Sequence, residues 1–372
     1  MIKIPPFIQN LEPYKAGKPI AELMREKKLT RVVKLASNEN PIGPSPRAIE
    51  AIRNSVLGLN RYSDPAGYDL VMKIADKFKV QPNHVIAGHG TDSLLAYVVS
   101  AFTNEEDEII TSEGSFIGIY VSVRKLGRNL TQVPLKNYAF DLDAIVAAIS
   151  DKTNMIYLAN PNNPTGTMFT RTEFERFMEQ VPAHIMVILD EAYTDYACEY
   201  PDYPNGIRYD YENLVITRTL SKALGLAGLR IGYAVGPDKV IESLYKVRLP
   251  FEPNYLAQQA AIAALDDDEF LAETIELNKQ SLALFKACFD ENGMQHVASY
   301  TNFILVLMPS ISFAKAFAEA CLDRGLIVRH VDRFGLPEGI RINSGTMEET
   351  VFATQVISEV YQLLLKRKPE GS

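Results

Sequence analysis

The chain has 372 residues, of which 47% are hydrophobic and 23% charged, and this excludes a disordered or fibrous protein. Its length exceeds the usual size of a single hydrophobic core. The net charge of −8, without a run of Lys and Arg, disfavours nucleic acid and anionic membranes as partners and favours small-molecule chemistry. No stretch has membrane-spanning length, and Pro5 and Pro6 stand where a signal peptide would need an apolar run, so we expect a cytoplasmic protein.

The first part of the chain predicts an arm followed by a layered α/β domain. Residues 1–40 are rich in Pro and Lys and predict an N-terminal arm that joins the small domain, before a helix at 47–57. Strands and helices then alternate, with strands predicted at 84–87, 108–111 and 129–135 and helices at 91–102, 116–126 and 142–149. Such alternation predicts a mostly parallel sheet with helices on both faces.

Further apolar runs predict the remaining strands of this sheet at 155–159, 185–189, 214–217 and 231–235. The last two are too close together for a crossover helix, which predicts an antiparallel edge and therefore a mixed sheet. After residue 238 the pattern is helical to about 292, and strands at 303–308 and 340–343 flank a helix at 313–324. We predict a large domain at 41–255 and a smaller α/β domain at 256–372.

Polar motifs follow several predicted strands. In open sheets of this kind, ligands bind beyond the carboxyl ends of the strands. The motifs are GHGTDS (88–93), NPNNPTG (160–166), DEAY (190–193) and TLSKALGLAGLR (219–230). Residues in these four segments are therefore the first candidates for chemistry.

Lys222 is the candidate nucleophile. A lysine that forms an imine must reach its neutral amine form near neutral pH, which a nearby guanidinium or a desolvating pocket favours. Thr219, Ser221 and Arg230 are residue types that hold a phosphate dianion. Without this setting, an exposed surface lysine would be the better interpretation.

The segment Gly90, Thr91 and Asp92 opens a predicted helix. Its backbone amides and the helix dipole predict the second half of a phosphate cup. A helix N-cap at Thr91 or Asp92, without any ligand, explains the same residues equally well. A dinucleotide fingerprint is disfavoured because the third glycine is absent.

Asp190 ends an apolar run, where a carboxylate is well placed to pair with a protonated ring nitrogen and keep that ring cationic. Tyr193 can donate a hydrogen bond to a ring hydroxyl, and Asn163 offers an amide donor on a Pro-Gly turn. The alternatives are two solvated acids on a loop and an ordinary turn.

Together and in this order, these motifs resemble the fold-type-I pyridoxal-5'-phosphate (PLP) aminotransferases. The resemblance rests on Asn163 of NPTG, Asp190 and Tyr193 of DEAY, and Lys222 of SK with Arg230 eight positions later. It implies that Lys222 carries PLP as a Schiff base. Once displaced by substrate, the same lysine moves the proton between the substrate carbon and the cofactor carbon.

Both ends of the chain are similar to histidinol-phosphate aminotransferases, in LEPYKAGKPIAEL (11–23) and VVKLASNENPIGPSP (32–46) at the N-terminal end and GLIVRHVDRFGLPEGIRINSG (325–345) at the C-terminal end. The resemblance implies that Phe116 stacks on the PLP ring, that Tyr62 reaches the phosphate in the neighbouring subunit and that Tyr14 closes over the substrate. A homodimer with shared active sites follows. The implied amino donor is histidinol phosphate, and the acceptor is the 2-oxo acid 2-oxoglutarate.

Arg329 and Arg341 lie on or beside predicted strands of the small domain and are expected to converge on an anion. The resemblance assigns Arg341 to a substrate carboxylate and Arg329 to the phosphate. A solvated surface arginine is the alternative for Arg329.

The sequence departs from the usual family pattern at 114–116 (Gly-Ser-Phe), at Ser93 and at Asn343. PLP binding is compatible with all three departures. Substrate preference is less tightly specified, which keeps two alternatives open: an aromatic or broad-specificity aminotransferase, and a lyase that resembles threonine-phosphate decarboxylases.

No metal site is predicted. The three cysteines lie far apart, and the five histidines show no paired ligand spacing. His89, beside the proposed phosphate cup, is a candidate cofactor contact.

Overall fold

The computed structural model describes residues 2–11 and 19–366. In this part of the chain the strands are β1 (Val33–Lys34), β2 (Val85–Gly88), β3 (Glu108–Ser112), β4 (Asn129–Val133), β5 (Thr153–Ala159), β6 (Met186–Asp190), β7 (Leu214–Thr219), β8 (Gly232–Val235), β9 (Gln295–His296), β10 (Phe303–Leu307), β11 (Leu326–Ile327), β12 (Arg329–His330) and β13 (Gly339–Asn343). The helices are α1 (Pro6–Gln9), α2 (Ile20–Lys27), α3 (Pro46–Ser55), α4 (Tyr68–Phe78), α5 (Gly90–Phe102), α6 (Ile117–Arg124), α7 (Leu142–Ala147), α8 (Arg171–Gln180), α9 (Thr194–Ala197), α10 (Asp238–Val247), α11 (Tyr255–Ala264), α12 (Asp268–Glu291), α13 (Ile311–Asp323) and α14 (Met347–Lys366).

The central sheet has seven strands in the order β2-β8-β7-β6-β5-β3-β4. Neighbours from β7 to β4 are parallel, whereas β8 runs antiparallel to both β7 and β2. The mixed, mostly parallel sheet that the sequence predicts is therefore present. The antiparallel strand lies one position inside the edge rather than at it, because β2 pairs along its outer side.

Helices cover both faces of this sheet. One face is buried under α5, α6, α7, α8 and α10, and the other packs against α3, α4 and α11. Side chains cap the starts of some of these helices. Ser45 accepts a hydrogen bond from the amide of Ala48 at the start of α3, and Thr170 and Glu173 form a capping box at the start of α8.

A second hydrophobic core forms around the antiparallel sheet β12-β13-β10-β9 with α12, α13 and α14. Strand β1, in the segment predicted as an arm, pairs in parallel with β11 and places Val33 and Leu35 in this core. Helix α11 packs against α3 and α4, so the packing favours a domain boundary after Leu265 rather than after residue 255. The division into domains stays a prediction.

Candidate active site

Lys222 lies three residues after the end of β7, where the parallel strands of the central sheet terminate. Its Nζ donates a hydrogen bond to the carbonyl oxygen of Ser37 at 3.4 Å. Burial, reinforced by the positive charges of Arg341 and Arg230, lowers the pKa of the amine to about 8. The lysine is thus held in the range where the neutral form is accessible at physiological pH.

Asp190 is the last residue of β6 and is 3% exposed. The hydroxyl of Tyr157 on the neighbouring strand β5 donates to Oδ2 at 2.7 Å, and the amide of Ala192 donates to Oδ1 at 3.2 Å. Burial nevertheless dominates and raises the carboxyl pKa to about 6. Tyr157 was not predicted as a site residue, because it sits inside the apolar run MIYLA and resembles core.

The start of α5 faces Arg230 as expected for an anion cup. Nη2 of Arg230 lies 3.1 Å from Oδ2 of Asp92, and Thr91 is buried beside it. Gly90 has φ +75°, and a Cβ there would come within 2.8 Å of Nη2 of Arg230. The left-handed backbone conformation therefore favours glycine, whose small size also leaves room for the end of the Arg230 side chain.

Thr219 and Ser221 complete this side of the site. The hydroxyl oxygen of Thr219 accepts from the amide of Ser221 at 3.1 Å, and Nη1 of Arg230 lies 3.5 Å from the hydroxyl of Ser221. Thr219, Ser221 and Arg230, which are close in sequence, are therefore also close in space.

Arg341 and Arg329 face each other across the antiparallel pair β12–β13. Nη1 of Arg341 donates to Oδ1 of Asn163 at 2.5 Å, and Nη2 donates to the carbonyl oxygen of Ala36 at 2.8 Å. The guanidinium is 5.2 Å from the ring centre of Phe303. Arg341 is therefore fixed by contacts from the arm and from both domains.

Two neighbouring cavities of about 370 Å³ and about 260 Å³ join these groups. Both are lined by Ser37, Asp92, Phe116, Asn163 and Lys222. The larger one adds Asn38, Lys125, Arg329 and Arg341, and the smaller one adds Thr91, Asp190, Tyr193, Thr219, Ser221 and Arg230. Nearly all predicted site residues thus meet in one place.

Three predicted residues, Gly90, Tyr62 and His89, do not line either cavity, and a fourth, Tyr14, lies outside the described residues. Gly90 contributes its backbone conformation without lining either cavity. Tyr62 is 80% exposed and stacks on Phe251 at 4.3 Å, away from the cavities of its own chain. His89 directly precedes α5 but does not line either cavity.

Asn38 and Lys125 line the larger cavity although the motifs do not predict either as a site residue. Asn38 lies in the segment between β1 and α3, and Lys125 caps the end of α6. Among residues 2–11 and 19–366, no cluster of His, Cys, Asp and Glu is arranged to hold a metal ion. Within the same residues, no helix is both long and apolar enough to cross a membrane.

Comparison with known proteins identifies the class. The profile of the family "Aminotransferase class I and II" matches residues 30–356. Histidinol-phosphate aminotransferase 2 of Hydrogenovibrio crunogenus is 42% identical over 347 residues, 92% of each chain. Histidinol-phosphate aminotransferase 2 of Pasteurella multocida is 42% identical over 359 residues, 96% of this chain and 97% of that one.

A solved structure supports the same class of protein. The histidinol-phosphate aminotransferase of Sinorhizobium meliloti in complex with pyridoxal-5'-phosphate matches with a TM-score of 0.90 and 28% identity, covering 98% of this chain and 99% of that one. The chain belongs to the class I and II aminotransferases. Within them it resembles the histidinol-phosphate aminotransferases, so the predicted enzyme class, fold type I and PLP as cofactor are confirmed.

Proposed function

We propose that this enzyme exchanges an amino group between histidinol phosphate and 2-oxoglutarate, giving imidazole-acetol phosphate and glutamate. The observation that carries the proposal is the pair of joined cavities. Lys222, Asp190 and Arg230 line one of them, and Arg329 and Arg341 line the other beside Lys222. The names of the relatives support the same substrate.

The residues of the smaller cavity fit PLP. Arg230, Ser221 and the amides at the start of α5 offer donors to a phosphate dianion, and Gly90 leaves the space that Arg230 needs. Asp190 is a buried acid whose raised pKa marks an uncompensated charge, which a cationic ring nitrogen would neutralise. Bound PLP supplies an electron sink for negative charge at the reacting carbon of the substrate.

Lys222 is proposed to hold PLP and to move the proton. A pKa of about 8 lies close to physiological pH, so its Nζ can both release and accept a proton. Phe116 lines both cavities and is proposed to cover the ring face. Asn163 and Tyr193 are proposed to donate to the oxygen on the ring.

The cationic groups of the larger cavity fit an anionic substrate. Arg341 is held by Asn163 and Ala36 and is proposed to bind the carboxylate of 2-oxoglutarate. Arg329 and Lys125 form no ion pair within residues 2–11 and 19–366, so both are available to a phosphate ester. We propose Arg329 as the main phosphate ligand.

A homodimer is proposed from the surface around Tyr62. Leu57 is 92% exposed, Leu59 56% and Leu249 59%, and Tyr62 stacks on Phe251 in the same region. Exposed apolar groups of this size are typical of an interface. Tyr62 lines neither of the two cavities described above, which supports a role in the partner's phosphate site. We further propose that the enzyme is cytoplasmic and that Tyr14 closes over the substrate.

The test is a single-turnover titration of the PLP-loaded protein with L-histidinol phosphate, L-phenylalanine and L-threonine phosphate, following the absorbance of bound PLP. Histidinol phosphate should convert the cofactor at much the lowest concentration. An equal response to phenylalanine would replace the proposal with a broad-specificity aminotransferase. Carbon dioxide release from threonine phosphate without an oxo acid would identify a lyase, and Lys222→Ala serves as the control without the absorbance band.

A further inference from the structure

The segment 36–39 joins the arm to both halves of the site. The carbonyl oxygens of Ala36 and Ser37 accept from Arg341 and Lys222, respectively. The next residue, Asn38, is 1% exposed and lines the larger cavity. The proposed functions of Arg341 and Lys222 leave the side chain of Asn38 without a role.

The contacts of Asn38 are specific. Its Nδ2 donates to the hydroxyl oxygen of Tyr193 at 2.7 Å. Its own amide donates to Oδ1 of Asn343 at 3.0 Å, and its carbonyl oxygen accepts from Nδ2 of Asn302 at 3.1 Å. The backbone has φ +55°, a left-handed conformation that Asn tolerates better than most residues. These two contacts hold the backbone of Asn38, and among the described residues the Nδ2 bond to Tyr193 is the hydrogen bond of its side chain, since Oδ1 is buried without a partner.

A phenol has one hydrogen to donate, whereas the NH2 of an amide can only donate. Because Asn38 donates to the oxygen of Tyr193, the hydrogen of Tyr193 must point elsewhere. Tyr193 is 3% exposed and lines the smaller cavity beside Lys222 and Asp190. We propose that Asn38 is a positioning residue that directs the hydroxyl hydrogen of Tyr193 to the cofactor, and that Asn343 holds Asn38 for this task. This inference rests on the proposed function, in which Tyr193 contacts bound PLP.

The proposal also explains why an asparagine occupies position 343. Asn343 is a position where this chain departs from the usual family pattern, two residues after Arg341 on β13. Its Oδ1 reaches the amide of Asn38, while its Nδ2 donates to the carbonyl oxygen of Ser344 at 2.9 Å. A threonine hydroxyl can also donate and accept, but it would have to make both bonds from one atom of a shorter side chain, whereas Asn343 uses two separate atoms.

The test compares Asn38→Asp with Tyr193→Phe. Aspartate keeps the shape of Asn38 but can only accept, so it would take the hydrogen of Tyr193 back from the cofactor. Both variants should weaken PLP binding about tenfold, as expected for one lost hydrogen bond to a charged group. Both should also move the pH midpoint of the absorbance of bound PLP upward, since the lost donor stabilised the deprotonated form.

A double variant separates this effect from simple charge. The new carboxylate would lie among Arg341, Asp190 and Lys222, the charged groups around Tyr193. In the Tyr193→Phe background, Asn38→Asp should change PLP affinity less than about twofold if it acts through the hydroxyl. A full tenfold loss in that background overturns the proposal.

Further variants keep the test decisive. Asn38→Gly preserves the left-handed backbone and replaces Asn38→Asp if the latter does not fold. Asn343→Leu should shift the midpoint in the same direction by a smaller amount, and Asn129→Asp, at the exposed first residue of β4, should leave it unchanged. A wild-type protein that binds no PLP would contradict the proposed function, whereas binding that Asn38→Asp and Asn38→Gly both leave unaltered overturns only this inference.

Discussion

The buried carboxylate of Asp190 should destabilise the PLP-free protein. Asp190 is 3% exposed, and burial raises its pKa from 3.8 to about 6 despite the hydrogen bond from Tyr157. Substituting asparagine removes the charge and keeps one oxygen that can accept from Tyr157, while its NH2 group replaces the oxygen that accepts from the amide of Ala192. The variant should therefore be more stable than wild type without PLP and should bind PLP at least tenfold more weakly, because it cannot pair with a cationic ring nitrogen.

The magnitude follows from the pKa. An acid whose pKa is raised in the folded state binds its proton more tightly when folded, so ionisation costs stability as pH rises from 3.8 through about 6. At about 1.36 kcal/mol per pKa unit, the cost is about 1.5 kcal/mol at pH 5 and about 3 kcal/mol at pH 8. The stability gained by Asp190→Asn should consequently be about 1.5 kcal/mol larger at pH 8 than at pH 5.

Urea unfolding of the PLP-free proteins at one fixed protein concentration measures this difference. Other carboxylates titrate in both proteins and cancel when the variant is compared with wild type. Asp143→Asn, which removes an exposed partner of Arg176, is the matched control and should show no such pH dependence. An Asp190→Asn difference that is the same at pH 5 and pH 8 would refute the reasoning.

Four further outcomes are expected. The rate constant of PLP binding should rise about tenfold from pH 7 to pH 9 as Lys222 deprotonates, and a flat stopped-flow profile would contradict its pKa of about 8. Arg329→Ala should raise KM for histidinol phosphate about tenfold more than KM for unphosphorylated histidinol, whereas equal increases would remove Arg329 from the phosphate site. Glu191→Gln should lower the free energy of unfolding by about 3 kcal/mol because Arg218, 2.7 Å away and buried, loses the negative charge that neutralises it; an unchanged urea midpoint would disprove this. Mixing inactive Tyr62→Ala with inactive Lys222→Ala chains should restore activity if Tyr62 crosses the interface, and mixtures that stay inactive would place it elsewhere.

The sequence predicts those parts of the site that follow a buried strand. Asp190 and Lys222 come at or just after the ends of β6 and β7, and Asn163 follows β5, so one topological rule brings all three to the same edge. The fold is predictable for the same reason, because alternating apolar runs and helical segments specify a layered sheet. Even the antiparallel strand β8 is signalled by its short distance from β7.

Other parts leave no local signal. Tyr157 is a polar group inside an apolar strand, and only the pairing of β5 with β6 shows that its hydroxyl meets Asp190. Asn38 meets Asn343 across 305 positions of sequence, and no spacing rule connects an irregular segment to a strand so distant. The domain to which α11 belongs cannot be predicted either, because the apolar face of a helix does not specify which hydrophobic core it packs against.

The charge of the whole chain and the charge of the site have opposite signs. Lys125, Lys222, Arg329 and Arg341 line the larger cavity, and Asp92 is the acidic residue among its lining. The net charge of −8 repels a polyanion that extends across the surface of the protein. Electrostatic fields are screened beyond about 8 Å at physiological ionic strength, so distant charges hardly affect a small ligand. A small phosphate ester that enters the cavity therefore meets the local cations rather than the net charge. The composition argues against nucleic acid without arguing against a phosphorylated substrate.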